Sequence, residues 1–367
     1  MTISNHTCPA PPSLTEVAQE SIFGNVTFHH FAVILGGSAA AISFLIVLIL
    51  MAQHATYLSN QREQYKIMKI CLVIPYYSLT AFLSICFPKI FLFINAWFSY
   101  IEAVSFATLF LLFCQYLAPS ESERELFFAA LEIKQKDGPA LRGKESLDWY
   151  RMKWIAIFQM PVVALLVAVA TMITQAAGIY CEYSMGSKPF LFAHFWLGIA
   201  SSLSLAFAFI SILKFYMILK PQITRHAALS KLVAFKMIVG LTFIENIIFW
   251  ILQDTHTLKP TAKLTFADVN IVIPALIICL QNVPLAIFFH YAYPHTPYLV
   301  TAESGAKYYG GFCGWRGWVS IFNPMEVGRG FIFAFQMAAL QGKNHRDTNR
   351  PDEAYLSRRH YQDDEMR

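Results

Sequence analysis

Seven stretches of this chain run apolar without interruption for close to the length of a bilayer core: 31–51, 68–88, 100–117, 154–177, 192–213, 231–253 and 269–290. A helix needs ~20 apolar residues to cross the hydrocarbon. The runs are continuous and lack the short period-two alternation of a membrane barrel. The pattern predicts an all-α fold, a polytopic membrane protein of seven transmembrane helices. It divides the chain into an N-terminal segment (1–30), a membrane bundle (31–294), a membrane-proximal segment (295–340) and a charged, disordered tail (341–367). No basic n-region precedes the first apolar run at Phe31, so that run reads as a span rather than a leader.

Charge orients the bundle. The first connection holds Arg62 and Lys66, and the third holds Arg124, Lys134, Lys136, Arg142, Lys144, Arg151 and Lys153. The fifth holds Lys214, Lys220, Arg225 and Lys231, whereas the opposite side has only Lys89, Lys188, Lys259 and Lys263. Basic loops stay on the cytoplasmic side, which predicts the N-terminus outside and the C-terminus in the cytoplasm. The Asn5 and Asn25 sequons then sit where N-glycans are added. In the third connection, Leu126, Phe127, Ala130 and Leu131 recur at helical spacing. That suits a helix on the inner membrane face or a solvated loop helix equally.

Composition strengthens this picture. Hydrophobic residues make up 56% of the chain and charged ones 14%, against about 25% charged in soluble domains. The net charge of +5 is spread over loops and gives no nucleic-acid surface. The seven cysteines form no CxxC pair or zinc spacing. Cys71, Cys86, Cys114 and Cys279 read as apolar fillers. Cys8 and Cys181 share the predicted exterior and could pair, with Cys86 as a rival partner.

The polar residues inside the spans are the site candidates, because an ionisable group in hydrocarbon costs about 2.5–3.5 kcal/mol on insertion scales. Lys231 begins the sixth span, where it can reach water, and Lys236 lies about 8 Å deeper, where its stem can snorkel. Glu245 is about 21 Å from Lys231, too deep for a short side chain to reach water. It must be protonated, bonded to another span or hydrated in a cavity. Asn246 beside it raises the polarity of that level. Gln281 and Asn282 in the seventh span, flanked by Pro274 and Pro284, offer a partner. His290 marks the inner end of that span, and Glu102 opens the third. No HExxH, GxSxG or P-loop is present, and the histidines lack ligand spacing. The sequence therefore predicts no enzyme, no metal and no cofactor.

Several stretches then resemble one family: VIPYYSLTAFLS with Ile74, Pro75, Tyr77 and Ser78, YIEAVSFATLFLLFCQYL with Glu102-Ala103, KLVAFKMIVGLTF with Lys231 and Lys236, FFHYAYP from Phe288 to Pro294, and FNPMEV from Phe322 to Val327. Their order is similar to that of the organic solute transporter alpha-subunit family, which includes the transmembrane protein 184 group. The chain departs from it at Ile244-Glu245, where many relatives carry tryptophan-glutamine. The resemblance implies gradient-driven movement of amphipathic organic solutes such as steroids or bile acids. It also implies, as partner, a single-span beta-type subunit, with a second copy of the chain as the alternative, and the chain reads as an integral protein of the plasma membrane or an endomembrane. Lys236 would meet an anionic head group, and Glu245, Asn246, Gln281 and Asn282 would line a polar pocket, with Glu102 and His290 as further contacts. A seven-span receptor or a membrane-organising or trafficking protein shares the topology.

Overall fold

The computed structural model describes residues 8, 14, 16, 18–22, 24–134, 139–182, 189–255, 258–300 and 307–348; within these, the side chains of 121, 246, 250, 253, 254 and 340–348 lie outside the description. The seven expected spans are present as helices long and apolar enough to cross a membrane. The first is α1 (Phe28–Thr56) and the second is α2 (Gln61–Cys71) continued as α3 (Val73–Cys86). Then come α4 (Phe91–Leu117), α6 (Lys144–Ala176), α7 (Ala193–Ile223), α8 (Ala228–Asp254) and α9 (Ile273–Ala292). Three helices lie outside the spans: α5 (Glu121–Ala130), α10 (Trp315–Ile321) and α11 (Met325–Thr348).

Several spans reach further than hydropathy predicts, for local reasons. α2 starts at Gln61 because Asn60 caps it, accepting from the Glu63 amide at 3.3 Å. Gln64 accepts from the amides of Ser59 and Asn60 at 2.9 Å each. α4 begins well before residue 100, the expected start of the third span. α11 runs past Gln341, where the sequence predicted a disordered tail, to Thr348. The rest of that tail lies outside the described residues.

Two groups of helices meet in the bundle. α1, α3 and α9 pack together around Ala39, Ala81, Val272 and Cys279. α4, α6 and α7 share an aromatic core in which the Phe110 ring meets Trp154 at 5.2 Å and Phe215 at 5.0 Å. α8 lies mainly on α9 and touches α4 and α7 only lightly. Outward faces are apolar, as at Ile42, Leu45 and Ile49 of α1 and Leu203, Phe207 and Ile210 of α7. That is the arrangement a lipid solvent favours and water does not. α5 is anchored through Phe128, stacked on Tyr150 at 4.1 Å, and not through Leu126, which is 72% exposed.

The N-terminal arm marks one face of the bundle. Cys8 and Cys181 form a disulfide, Cys86 remains free, and Gln19 and Glu20 donate to the Ala262 carbonyl at 3.1 Å. The opposite face carries residues 307–348. There Gly310, Gly314 and Gly317 lie flat on Ala55, and a Cβ on Gly310 would come within 2.2 Å of the Ala55 oxygen. Trp154 donates to the Gly330 carbonyl at 2.9 Å, fixing α11 across α6.

Candidate solute-binding site

At the tail face the spans are tied by a buried polar network. His54 of α1 donates to the Tyr293 carbonyl at 3.0 Å, and the Gln64 amide donates to the Tyr57 carbonyl at 2.9 Å. Tyr298 donates to Glu63 at 2.8 Å, and the Tyr293 hydroxyl donates to the Lys231 carbonyl at 3.1 Å. Lys231 itself is 5% exposed, its amine bonded to the His226 carbonyl and lying 5.7 and 5.8 Å from the centres of the Tyr116 and Tyr293 rings. The expectation that Lys231 reaches water is thus corrected. It is a buried cation whose donors and ring contacts replace water. His290 donates to the Ile46 carbonyl at 2.8 Å. The histidine and tyrosine of FFHYAYP therefore fasten α9 to α1 and α8.

Deeper in the bundle the predicted site residues separate. Gln281 of α9 donates to Glu245 of α8 at 3.2 Å, the interhelix partner expected of an acid at that depth. Asn282, one position on, lies about 100° further round α9 and meets a different neighbour. It donates to Ser78 of α3 at 3.0 Å, and Ser78 shares a 2.8 Å hydrogen bond with Ser43 of α1. Lys236 is exposed and lies 5.0 Å from the centre of the Phe209 ring, on the outer surface rather than in an interior pocket with Glu245. The side chain of Asn246, and Asn5 as a whole, lie outside the described residues. Asn25 is exposed on the arm face.

Glu102 is buried where a solvated position was conceivable. Tyr77 of α3 donates to its carboxylate at 2.8 Å while stacking on Phe98 at 3.6 Å. A small cavity of ≈50 Å³ opens beside it, lined by Ser99, Glu102, Ser201 and Ser204. Ser204, on its wall, exchanges hydrogen bonds of 2.8 and 2.9 Å with Gln159. A space of that size with several polar walls suits water.

A larger space lies elsewhere. A cleft of ≈390 Å³ runs between α4 and the tail segment, lined on α4 by Tyr100, Ile101, Val104, Ser105 and Thr108. Leu72 and Phe331 add apolar wall, and Lys69 closes one end, its amine 2.6 Å from the Asn323 carbonyl. FNPMEV, noted above only as a family motif, supplies Phe322, Asn323, Pro324 and Val327 to this cleft. Sequence reasoning passed over Lys69 and Tyr100. Their only signal was a basic residue and a tyrosine near span ends, which membrane anchors share.

Fold and site together define a seven-span helical membrane protein with one acid, Glu102, buried against Tyr77 and an amphipathic cleft at one face. The family of organic solute transporter Ostalpha proteins matches residues 32–298, and the chain belongs to that family. Among its relatives, a transmembrane protein 184 homologue of Dictyostelium discoideum is 20% identical over 276 residues, covering 72% of this chain and 53% of that protein. LAZ1 homologue 1 of Arabidopsis thaliana is 24% identical over 282 residues, covering 70% and 56%. LAZ1 of the same plant is 21% identical over 296 residues, covering 73% and 58%. The chain spans little more than half the length of these relatives. No solved structure matches it.

Proposed function

We propose that the chain carries an amphipathic organic anion of steroid or bile-acid type down its gradient. The cleft of ≈390 Å³ carries this reading. It pairs one amine, on Lys69, with a wall of aliphatic and aromatic side chains and the hydroxyls of Tyr100, Ser105 and Thr108. A rigid apolar body with one acidic end and a few hydroxyls complements such a lining, in a volume typical of small-molecule sites. Glu102 with Tyr77, and Glu245 with Gln281, offer polar footholds deeper in the bundle. The sequence contains no nucleotide-binding loop, which supports passive movement.

Flux of a labelled steroid sulfate into proteoliposomes containing only this chain tests the proposal. Saturable uptake is expected; uptake no faster than in protein-free liposomes would overturn it. Uptake in those liposomes would also show that the chain moves the solute without a single-span partner. Lys69→Gln should raise KM for the sulfate severalfold while leaving the neutral parent steroid within about twofold, the loss of a single charge contact. Lys236→Ala should leave both unchanged. The reverse ranking would place the anion on the outer face of α8.

A further inference from the structure

On the other flank of α11 lies a second cleft, of ≈330 Å³, with different chemistry. Its wall carries Arg62 and Lys66 from α2, Arg124 from α5 and Arg329 from α11, against a single carboxylate, Glu326. Lys66 uses that carboxylate, at 3.1 Å, and also donates to the Arg62 carbonyl at 2.7 Å. The three guanidinium groups have no carboxylate of their own among the ion pairs of the described residues. Arg62 donates to the Pro119 carbonyl at 3.2 Å and Arg124 to the Ala118 carbonyl at 3.4 Å, with the Arg124 guanidinium 5.9 Å from the centre of the Trp154 ring. The Arg124 Nε is buried without a hydrogen-bond partner among the described residues, and so is Glu326 Oε2. Leu111, Trp154 and Phe333 complete the wall with apolar surface.

We propose that this cleft binds the phosphomonoester headgroup of a membrane lipid from the leaflet on the tail side. Gathering cations at a protein surface costs repulsion unless an anion completes the set. Guanidinium forks match phosphate oxygens with paired hydrogen bonds. Four cations facing one carboxylate leave more positive charge than a monoanionic phosphodiester neutralises, so the fit is to a dianionic monoester. A lipid is favoured over free phosphate because the cleft lies where spans α2 and α4 leave the membrane, and its apolar wall continues the cationic one. Such a ligand would bridge Arg62 and Arg124 to Arg329 and hold α11 in place. The inference stands apart from the transport reading, since binding here requires no flux.

The test uses the full chain in phosphatidylcholine nanodiscs containing either phosphatidylinositol 4-phosphate or phosphatidylserine at matched total charge. Native mass spectrometry reads retained lipid, and trypsin protection of α11 reads the clamp. The phosphoinositide should be retained and protect α11, whereas phosphatidylserine should not. Arg62→Gln with Arg329→Gln, both at exposed positions, should cut retention roughly tenfold. Arg225→Gln, an exposed cation at the α7–α8 turn, should leave it unchanged. Equal loss with Arg225→Gln, or equal retention of phosphatidylserine, would reduce the effect to general surface potential and overturn the site. A further arm adds inorganic phosphate to detergent-solubilised chain. If that alone protects α11 and displaces the lipid at equal concentration, the ligand is a free phosphate and the lipid assignment is wrong.

Discussion

Tyr77 shows how one side chain can serve packing and chemistry together. Its ring stacks on Phe98 and its hydroxyl satisfies Glu102, so the bundle holds a carboxylate without opening to lipid. Tyr77→Phe should lower stability by about 1–3 kcal/mol, the cost of stranding a buried polar group. Adding Glu102→Gln should recover part of that loss, and thermal melting of the single and double variants would reveal additive losses if the pair were not coupled. Glu182, in the arm-face loop beside the disulfide, has the opposite fortune. Its Oε2 is buried with no partner among the described residues, and burial pushes its carboxyl up to about 8. The folded chain then holds this proton more tightly than the unfolded chain, whose glutamate titrates near ~4.3. The linked stabilisation is complete below that pH and is lost as pH rises through about 8. Glu182→Gln should melt like the wild type near pH 4 and higher than it at pH 8 to 9. A constant difference at every pH would assign the effect to packing. Nothing in the sequence distinguished Glu182 from a solvated loop acid, because its burial is a product of the folded chain and not of its neighbours in sequence.

At the scale of elements, helix existence could be read from the sequence and helix extent could not. Hydropathy registers the lipid-facing middle of each span, but the polar first turns of α2 are helical through the Asn60 cap and the contact with α4. The tail-face segment is a stronger case. Residues 308–318 have no periodic signal, and their conformation is set by glycines that let backbone meet backbone at Ala55. Gly310→Ala and Gly314→Ala each place a methyl group inside the Ala55 backbone, and Gly314 also has φ +70°, which disfavours any side chain. Both variants should undock this segment and speed tryptic cleavage at Arg316 and Arg329. Gly328→Ala, where a Cβ meets nothing within 4 Å, should not. Identical cleavage in all three would mean that the glycine contacts do not hold the segment.

For the whole molecule, seven crossings and a disulfide between Cys8 and Cys181 place the arm and the α6–α7 loop on one face and the C-terminal helices on the other. The basic loops predict that the tail face meets the cytoplasm. The exposed Cys313 on the tail face gives a direct test. A membrane-impermeant maleimide should label it only after permeabilisation, and labelling in intact cells would invert the topology. The sequence by itself determined the class of molecule and the number of crossings. The transfer of each apolar run into lipid is a local free energy, summed residue by residue along the chain. It also offered Gln281 and Asn282 alike as partners for Glu245, since a deep carboxylate must be protonated, hydrated or given a polar neighbour from another span. Only the tertiary structure decided that Asn282 serves Ser78 instead, that Lys236 faces outward, that Lys231 is buried, and that Lys69 and FNPMEV share a cleft. Those outcomes depend on how each helix is rotated about its axis and on which neighbour it meets. Where nearly every residue of a span is apolar, the sequence leaves that rotation undetermined, and the packing of helix on helix fixes it.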